Sequence, residues 1–158
     1  MSGPGGSAAR GGTASDRGPV QHVVFLVDST RYALPLSAVS QVVVQPVGLV
    51  RVPRAPAAVL GVVNLRGRVV TVVDFPLLLD LPSPVQPQRK LILLERGRRD
   101  LALSVTDVEG FETVDKVSTQ ARESRAPVRG VTRVKGVAVT VLDADALDVA
   151  VTHLFDRG

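Results

Sequence analysis

The rhythm of short valine-rich runs limits what this chain can fold into. "HVVFLVD", "YALPL", "GVVNLRGRVVTVVDF", "RKLILLE", "LALSVTDV" and "GVTRVKGVAVTVLD" are each cut off by Asp-Ser, Arg-Gly, Lys-Gly or proline. Strand signals recurring at roughly 8–12 residues, with turn residues between them, specify a small barrel or sandwich and not a helix-rich α/β enzyme. Aromatic residues are only 3% of the chain, so the core has to be built from Val, Leu and Ala. Valine's stiff, branched side chain suits a pleated surface.

Several segments are read individually. "SAVSQVV" either opens a helical turn with Ser37 as N-cap or runs directly into a strand. "FPLLLDLP" predicts a short helix, with Asp74 ending the preceding strand and capping it. "ADALDVAVTHLF" predicts an amphipathic helix with Asp143 or Asp145 as cap. "LALSVTDV" reads as one strand, "GFETV" continues the meander, and 115–129 reads as a polar loop. Residues 1–19 are Gly, Ser, Ala and Arg without periodicity, which is the composition of a flexible tail. Residues 20–158 then form the folded unit, divided by the proline-rich stretch 81–88 into two halves of comparable size. A chain of about 60 residues is marginal alone. The halves are therefore expected to share apolar contacts and to unfold together.

Composition excludes several kinds of chemistry. The chain has no cysteine, which removes disulfides, thiolate catalysis and cysteine-based zinc sites. No apolar run reaches the roughly 18 residues of a membrane span, and the amino terminus lacks the apolar stretch of a secretory signal. These features together suggest a cytoplasmic protein. The net charge of +4 and pI near 10.3 invite a nucleic-acid reading. A duplex-binding face makes on the order of 6–10 phosphate contacts from one cluster. Here the cations are spread over Arg66 and Arg68, the "RGRR" turn at 96–99, and the stretch Arg122 to Lys135. Aromatics are not interleaved with them, which argues against base stacking. His22 and His153 stand at opposite ends of the folded part and read as structural or exposed. There is no Gly-x-Ser-x-Gly elbow, dinucleotide fingerprint or phosphate loop. No enzyme, cofactor, metal or small-molecule substrate is expected.

The hairpin at 61–75 remains to be explained. Its turn needs Gly67, because positive φ is nearly free for glycine. Nothing in a turn needs Arg66 or Arg68 beside it. A guanidinium at a hairpin tip can grip a carboxylate or carbonyl with a fixed fork of donors. The alternative is an ordinary solvated charge.

The succession "VVFLVDSTRYALPLSAVSQVV", "VPRAPAAVLGVVNLRGRVVTVVDF" and "LALSVTDVEGF" resembles the CheW family of chemotaxis coupling proteins. The resemblance runs from about residue 21 to 150. Its most specific string is Gly61-Val-Val-Asn64-Leu65-Arg66-Gly67 with Asp74, preceded by Pro53 and Pro56. It implies a mainly β fold of two SH3-like five-stranded β-barrel lobes sharing a core, with few short helices. It also implies a non-enzymatic adaptor joining the regulatory domain of a CheA-type histidine kinase to a methyl-accepting chemotaxis receptor, recruited to receptor arrays. The partner-binding residues implied are Asn64, Leu65, Arg66 and Gly67, with Val39, Gln41, Val42 and Pro53. Gln41 stands where the family commonly has Glu. Val105-Thr106 stands where a Val-Asp pair is usual, with Asp107 displaced by one. The other reading of the chain is a basic module that binds nucleic acid or an acidic protein.

Overall fold

The computed structural model describes residues 18–82, 84–95, 100–119 and 127–156. The "RGRR" turn, Arg122 and most of the expected tail lie outside them. Ten strands form two five-stranded sheets, one to each lobe. In the first sheet β8 (Asp107–Val114), β1 (Val20–Val27), β2 (Thr30–Pro35), β10 (Val137–Leu142) and β9 (Val128–Val134) lie side by side. In the second the order is β3 (Val39–Val44), β6 (Lys90–Leu94), β7 (Leu101–Val105), β5 (Arg68–Asp74) and β4 (Val59–Leu65). The fold class expected from the sequence is thus the fold observed.

The expected division near 81–88 does not coincide with the sheets. That stretch joins β5 to β6 inside the second sheet, while the first sheet combines the amino-terminal hairpin with the carboxy-terminal strands. The chain changes sheet within "LALSVTDV", which is two strands and not one. Thr106 is the pivot. It is buried, its N–H donates to the Leu26 carbonyl at 2.9 Å, and its Oγ1 accepts from the Asp28 N–H at 2.8 Å. A threonine hydroxyl can accept that backbone bond inside the fold without bringing a charge with it. Asp28, left-handed in the β1–β2 turn, in turn accepts from the N–H groups of Val85 (3.0 Å) and Gln86 (2.8 Å). The proline-rich connection is thereby tied to the first sheet.

Period-two alternation divides the strands between three clusters. Phe25, Tyr32, Leu34 and Leu142 from the first sheet meet Val73, Ile92, Leu101, Leu103 and Val105 from the second in one shared core. The residues between them turn the other way. Val24, Ala33, Val139 and Val141 fill the first lobe, and Val63, Val70, Val72, Leu91 and Ala102 fill the second. A strand buried on both faces reads as a continuous apolar run, which is why β1, β6 and β7 show little alternation.

Two helices close the junction. Helix α1 (Phe75–Leu78) starts at Asp74, whose Oδ2 accepts from the Leu77 N–H at 3.0 Å. Asp74 is almost fully buried, and this burial raises its pKa above the ordinary carboxylate value. In α2 (Ala144–Asp156) the cap is Asp143, whose Oδ1 accepts from the Ala146 N–H at 3.0 Å, while Asp145 sits in the first turn. Both readings of "SAVSQVV" hold in part. A 3₁₀ turn spans Leu36–Ala38 before β3, but Pro35 and not Ser37 occupies its cap position, and no side chain bonds there. Phe75 on α1 meets Phe25 and Tyr32 edge-on, with ring centroids 5.2 and 5.0 Å apart.

One repeat was not read from the sequence. Gly61, Val62, Gly67, Val70, Thr71, Val72 and Asp74 recur at the same spacing as Gly130, Val131, Gly136, Val139, Thr140, Val141 and Asp143. Both hairpins turn on a left-handed cation–glycine pair, Arg66-Gly67 and Lys135-Gly136. Both returning strands pair in parallel with a strand of their own sheet, and both end in an aspartate that caps a helix.

His22 is wholly buried. Its Nδ1 lies 2.9 Å from the Val20 carbonyl, which can only accept, so Nδ1 carries the proton. Nε2 is then a buried acceptor without a partner among the described residues, and desolvation lowers the pKa below 6.5. Between the lowered folded value and the unfolded one, the unfolded chain binds more protons. The stability contributed by neutral His22 is therefore complete above about pH 6.5 and is lost as pH falls through the folded value. Denaturant titrations from pH 7 to 5 should show falling stability in the wild type and a flatter profile in His22→Leu. Parallel profiles would refute this. Removing the junction ring by Phe75→Ala should cost about 3–5 kcal/mol, as for other buried aromatics. Unfolding should stay a single transition, and two separate transitions would show lobes that do not depend on the shared core.

Candidate partner-docking surface

The β4–β5 hairpin closes with Leu65 opposite Arg68, leaving Arg66 and Gly67 as a two-residue turn at φ 54° and 86°. Positive φ at both central residues is the type I′ geometry that matches the twist of the flanking strands. Asn64 pairs across the sheet with Val69, and its Oδ1 accepts from the Gly67 N–H at 2.8 Å. Asn64 thus fixes the turn it precedes. Leu65 is half-buried and packs on the core of the second lobe. Arg68 is bound through its Nε and a terminal nitrogen to the carboxylate of Asp100, just before the neighbouring strand β7. That pair raises the Arg68 pKa and gives the side chain a structural role.

Arg66 is different. It is exposed and makes no ion pair among the described residues. The turn therefore sets the Arg66 backbone conformation, and its guanidinium has no partner among the described residues.

Beside the hairpin, the segment after β3 returns along the free edge of β4. Val50 and Val62 exchange both backbone hydrogen bonds at 2.8 Å. Gly61 makes this possible, because a Cβ there would run into the Val50 carbonyl. Gly130 does the same for the Ser118–Val131 bridge in the first lobe. Pro53 follows on this segment, exposed, in a turn closed by the Ala55 N–H on the Val52 carbonyl at 3.3 Å. Arg54 at φ 63° takes the position where a type II turn favours glycine.

The structure brings Pro53 and Asn64–Gly67 to the same edge of the second sheet, but not the β3 residues. β3 stands at the opposite end of the strand order. Gln41 is exposed there, whereas Val39 and Val42 are half-buried and pack against the shared core. Their side chains are committed to folding, because the bulge between Val39 and Gln41 turns both valines inward. The sequence reading missed Val69 (62% exposed) beside the tip and Val50 (61%) and Val52 (42%) farther along the same edge. The signal for Val69 was available. It is paired with the polar Asn64 and so shares that residue's outward face.

Among the described residues there is no group of three side chains that could hold a metal, and no helix long and apolar enough to cross a membrane. His22 and His153 are not brought together. His22 is buried in the first lobe and His153 is exposed on α2. Gly61→Ala should lower stability by about 1–3 kcal/mol through backbone strain and should open the Val50–Val62 bridge. Hydrogen exchange would show this as lost protection at both amides, and unchanged protection would contradict the close-approach role.

The family model of the CheW-like domain matches residues 21–150. The chain is 32% identical over 83 residues to a chemotaxis protein CheW of Helicobacter pylori. It is 31% identical over 102 residues to a chemotaxis protein CheW of Rhizobium meliloti. These alignments take in 52% and 60% of this chain and span only 50% and 66% of the two relatives. The crystal structure of the scaffolding protein TtCheW from Thermoanaerobacter tengcongensis is similar at TM-score 0.68 and 21% identity. That match covers 79% of this chain and 89% of the other, and it shows the fold. The family model runs through both lobes and includes the hairpin tip, and the chain belongs to the CheW-like domain family.

Proposed function

We propose that this chain is a non-enzymatic adaptor that couples a CheA-type histidine kinase, through its regulatory domain, to methyl-accepting chemotaxis receptors. It would work in the cytoplasm, recruited to receptor arrays, with residues 20–158 as the working unit. The observation that carries the reading is Arg66. Asn64, Leu65, Gly67 and Arg68 each have an internal reason to be where they are, and Arg66 has none. An arginine that is presented on a rigid turn, without a partner of its own, suits the recognition of a carboxylate or carbonyl on another protein. Val69 beside it, and Val50 and Val52 farther along the same edge, supply exposed apolar area. A standard interface would bury roughly 800 Å² on each partner, with the energy concentrated in a few residues. Gln41 lies on the far edge and is a candidate for the second of the two partners.

The test is a binding assay against the kinase regulatory domain and a receptor signalling tip from the same organism. Arg66→Ala should weaken binding to at least one of them by more than about 1 kcal/mol, the usual threshold for an energetically important contact. Its melting temperature should stay close to that of the wild type. An equal loss of folding stability would give Arg66 a structural role instead. Failure of the wild type to bind either partner would refute the adaptor reading.

A further inference from the structure

Between Asp28 and Asp74 the chain has no acidic residue, yet it carries Arg31, Arg51, Arg54, Arg66 and Arg68. Two of these are neutralised from outside the stretch. Arg31 forms a two-pronged pair with Glu109 at 2.8 and 3.0 Å, and Arg68 is bound to Asp100. Arg51, Arg54 and Arg66 are exposed and unpaired among the described residues.

All three belong to one edge of the second lobe. Arg66 is at the hairpin tip, and Arg51 and Arg54 lie on the segment that covers β4. That segment runs antiparallel to β4 from the Val50–Val62 bridge, so its arginines extend away from the tip. At about 3.3 Å per strand residue, the bridge and Arg66 are roughly 13 Å apart. The edge is therefore positive toward both ends, with Val50, Val52 and Val69 exposed along it. Nucleic acid fits this pattern poorly. Three guanidiniums fall short of the roughly 6–10 phosphate contacts of a duplex binder, and valines interrupt them. Charge complementarity points to a protein surface that sets carboxylates beside aliphatic side chains.

We infer that this edge docks a protein partner whose contact surface is acidic and aliphatic, with Arg51 and Arg54 acting alongside Arg66 to steer association. The identity of that partner rests on the adaptor reading above. Its chemistry does not.

Two measurements separate the two claims. The first titrates the full isotope-labelled chain with a synthetic peptide alternating glutamate and leucine, using the lysine–leucine analogue as control. The acidic peptide alone should shift the amide signals of Val50, Val52, Arg66 and Val69. Shifts confined to other surfaces, equal shifts with both peptides, or none would overturn the inference, as would tighter binding to arbitrary duplex DNA. The second compares wild type with the double variant Arg51→Ala/Arg54→Ala against the kinase regulatory domain and the receptor tip at low and high salt. Affinity for one of them should fall about tenfold, with a shallower salt dependence and an unchanged melting temperature. Wild-type affinity and salt dependence in the double variant would overturn the inference and leave the adaptor reading intact. If the wild type binds neither partner but the acidic peptide maps to this edge, the adaptor reading fails and the docking chemistry stands.

Discussion

The aromatic contact at the lobe junction joins parts of the chain that are far apart in sequence. Phe25 and Tyr32 come from adjacent strands of the first sheet, and Phe75 opens the helix that leaves the second. Aromatic residues are scarce here, and three of them are spent on one place. Edge-to-face packing adds specificity beyond the area buried, because ring quadrupoles favour particular geometries. Two lobes packed only through valine and leucine would tolerate sliding. The three rings interlock where the sheets meet. Asp74 sits next to Phe75 and fixes the direction of its helix, so a buried carboxylate and a buried ring together define the junction.

The second lobe is one contiguous stretch of sequence from β3 to β7, whereas the first is closed by strands from both ends of the chain. Each lobe needs one face of its strands for itself and offers the other to its neighbour. The chain crosses between sheets twice, once after β2 and once at Thr106. A crossing exposes backbone groups that neither sheet can pair, and at Thr106 the N–H donates to the Leu26 carbonyl while the carbonyl accepts from the Arg89 N–H. A hydroxyl accepts the bond that the turn donates, while Asp107 moves outward to pair with Lys90 at 2.9 Å, which lowers its pKa.

Short-range features were legible in the sequence. The hairpins at Arg66-Gly67 and Lys135-Gly136, the caps at Asp74 and Asp143, and the all-β class follow from turn chemistry and periodicity that each need only a few adjacent residues. The partition of strands into sheets was not legible. Pairing of β1 with β8 is decided by burial summed over the whole chain, and the proline-rich 81–88 stretch looks like a boundary on composition alone. The candidate site divided in the same way. The resemblance implied Val39 and Val42 together with the tip residues, and the structure sets these two valines half-buried on a different strand of the sheet. The bulge that turns both inward lies in the backbone.

The sequence motif and the physical site are also different objects. Of the string from Gly61 to Arg68, most residues serve to build the hairpin: Gly61 admits the Val50 strand, Asn64 bonds the turn, Gly67 permits it, and Arg68 anchors it to Asp100. Arg66 is exposed and makes no such contact among the described residues. A side chain on a floppy loop would lose conformational freedom when it bound, at a cost set by how many backbone and side-chain torsions become fixed. Here the backbone torsions are already fixed by folding, so only the arginine's own rotamers are left to order. On the proposed reading, a guanidinium carried on this turn would meet a partner with little further ordering, while the other residues of the motif build the hairpin.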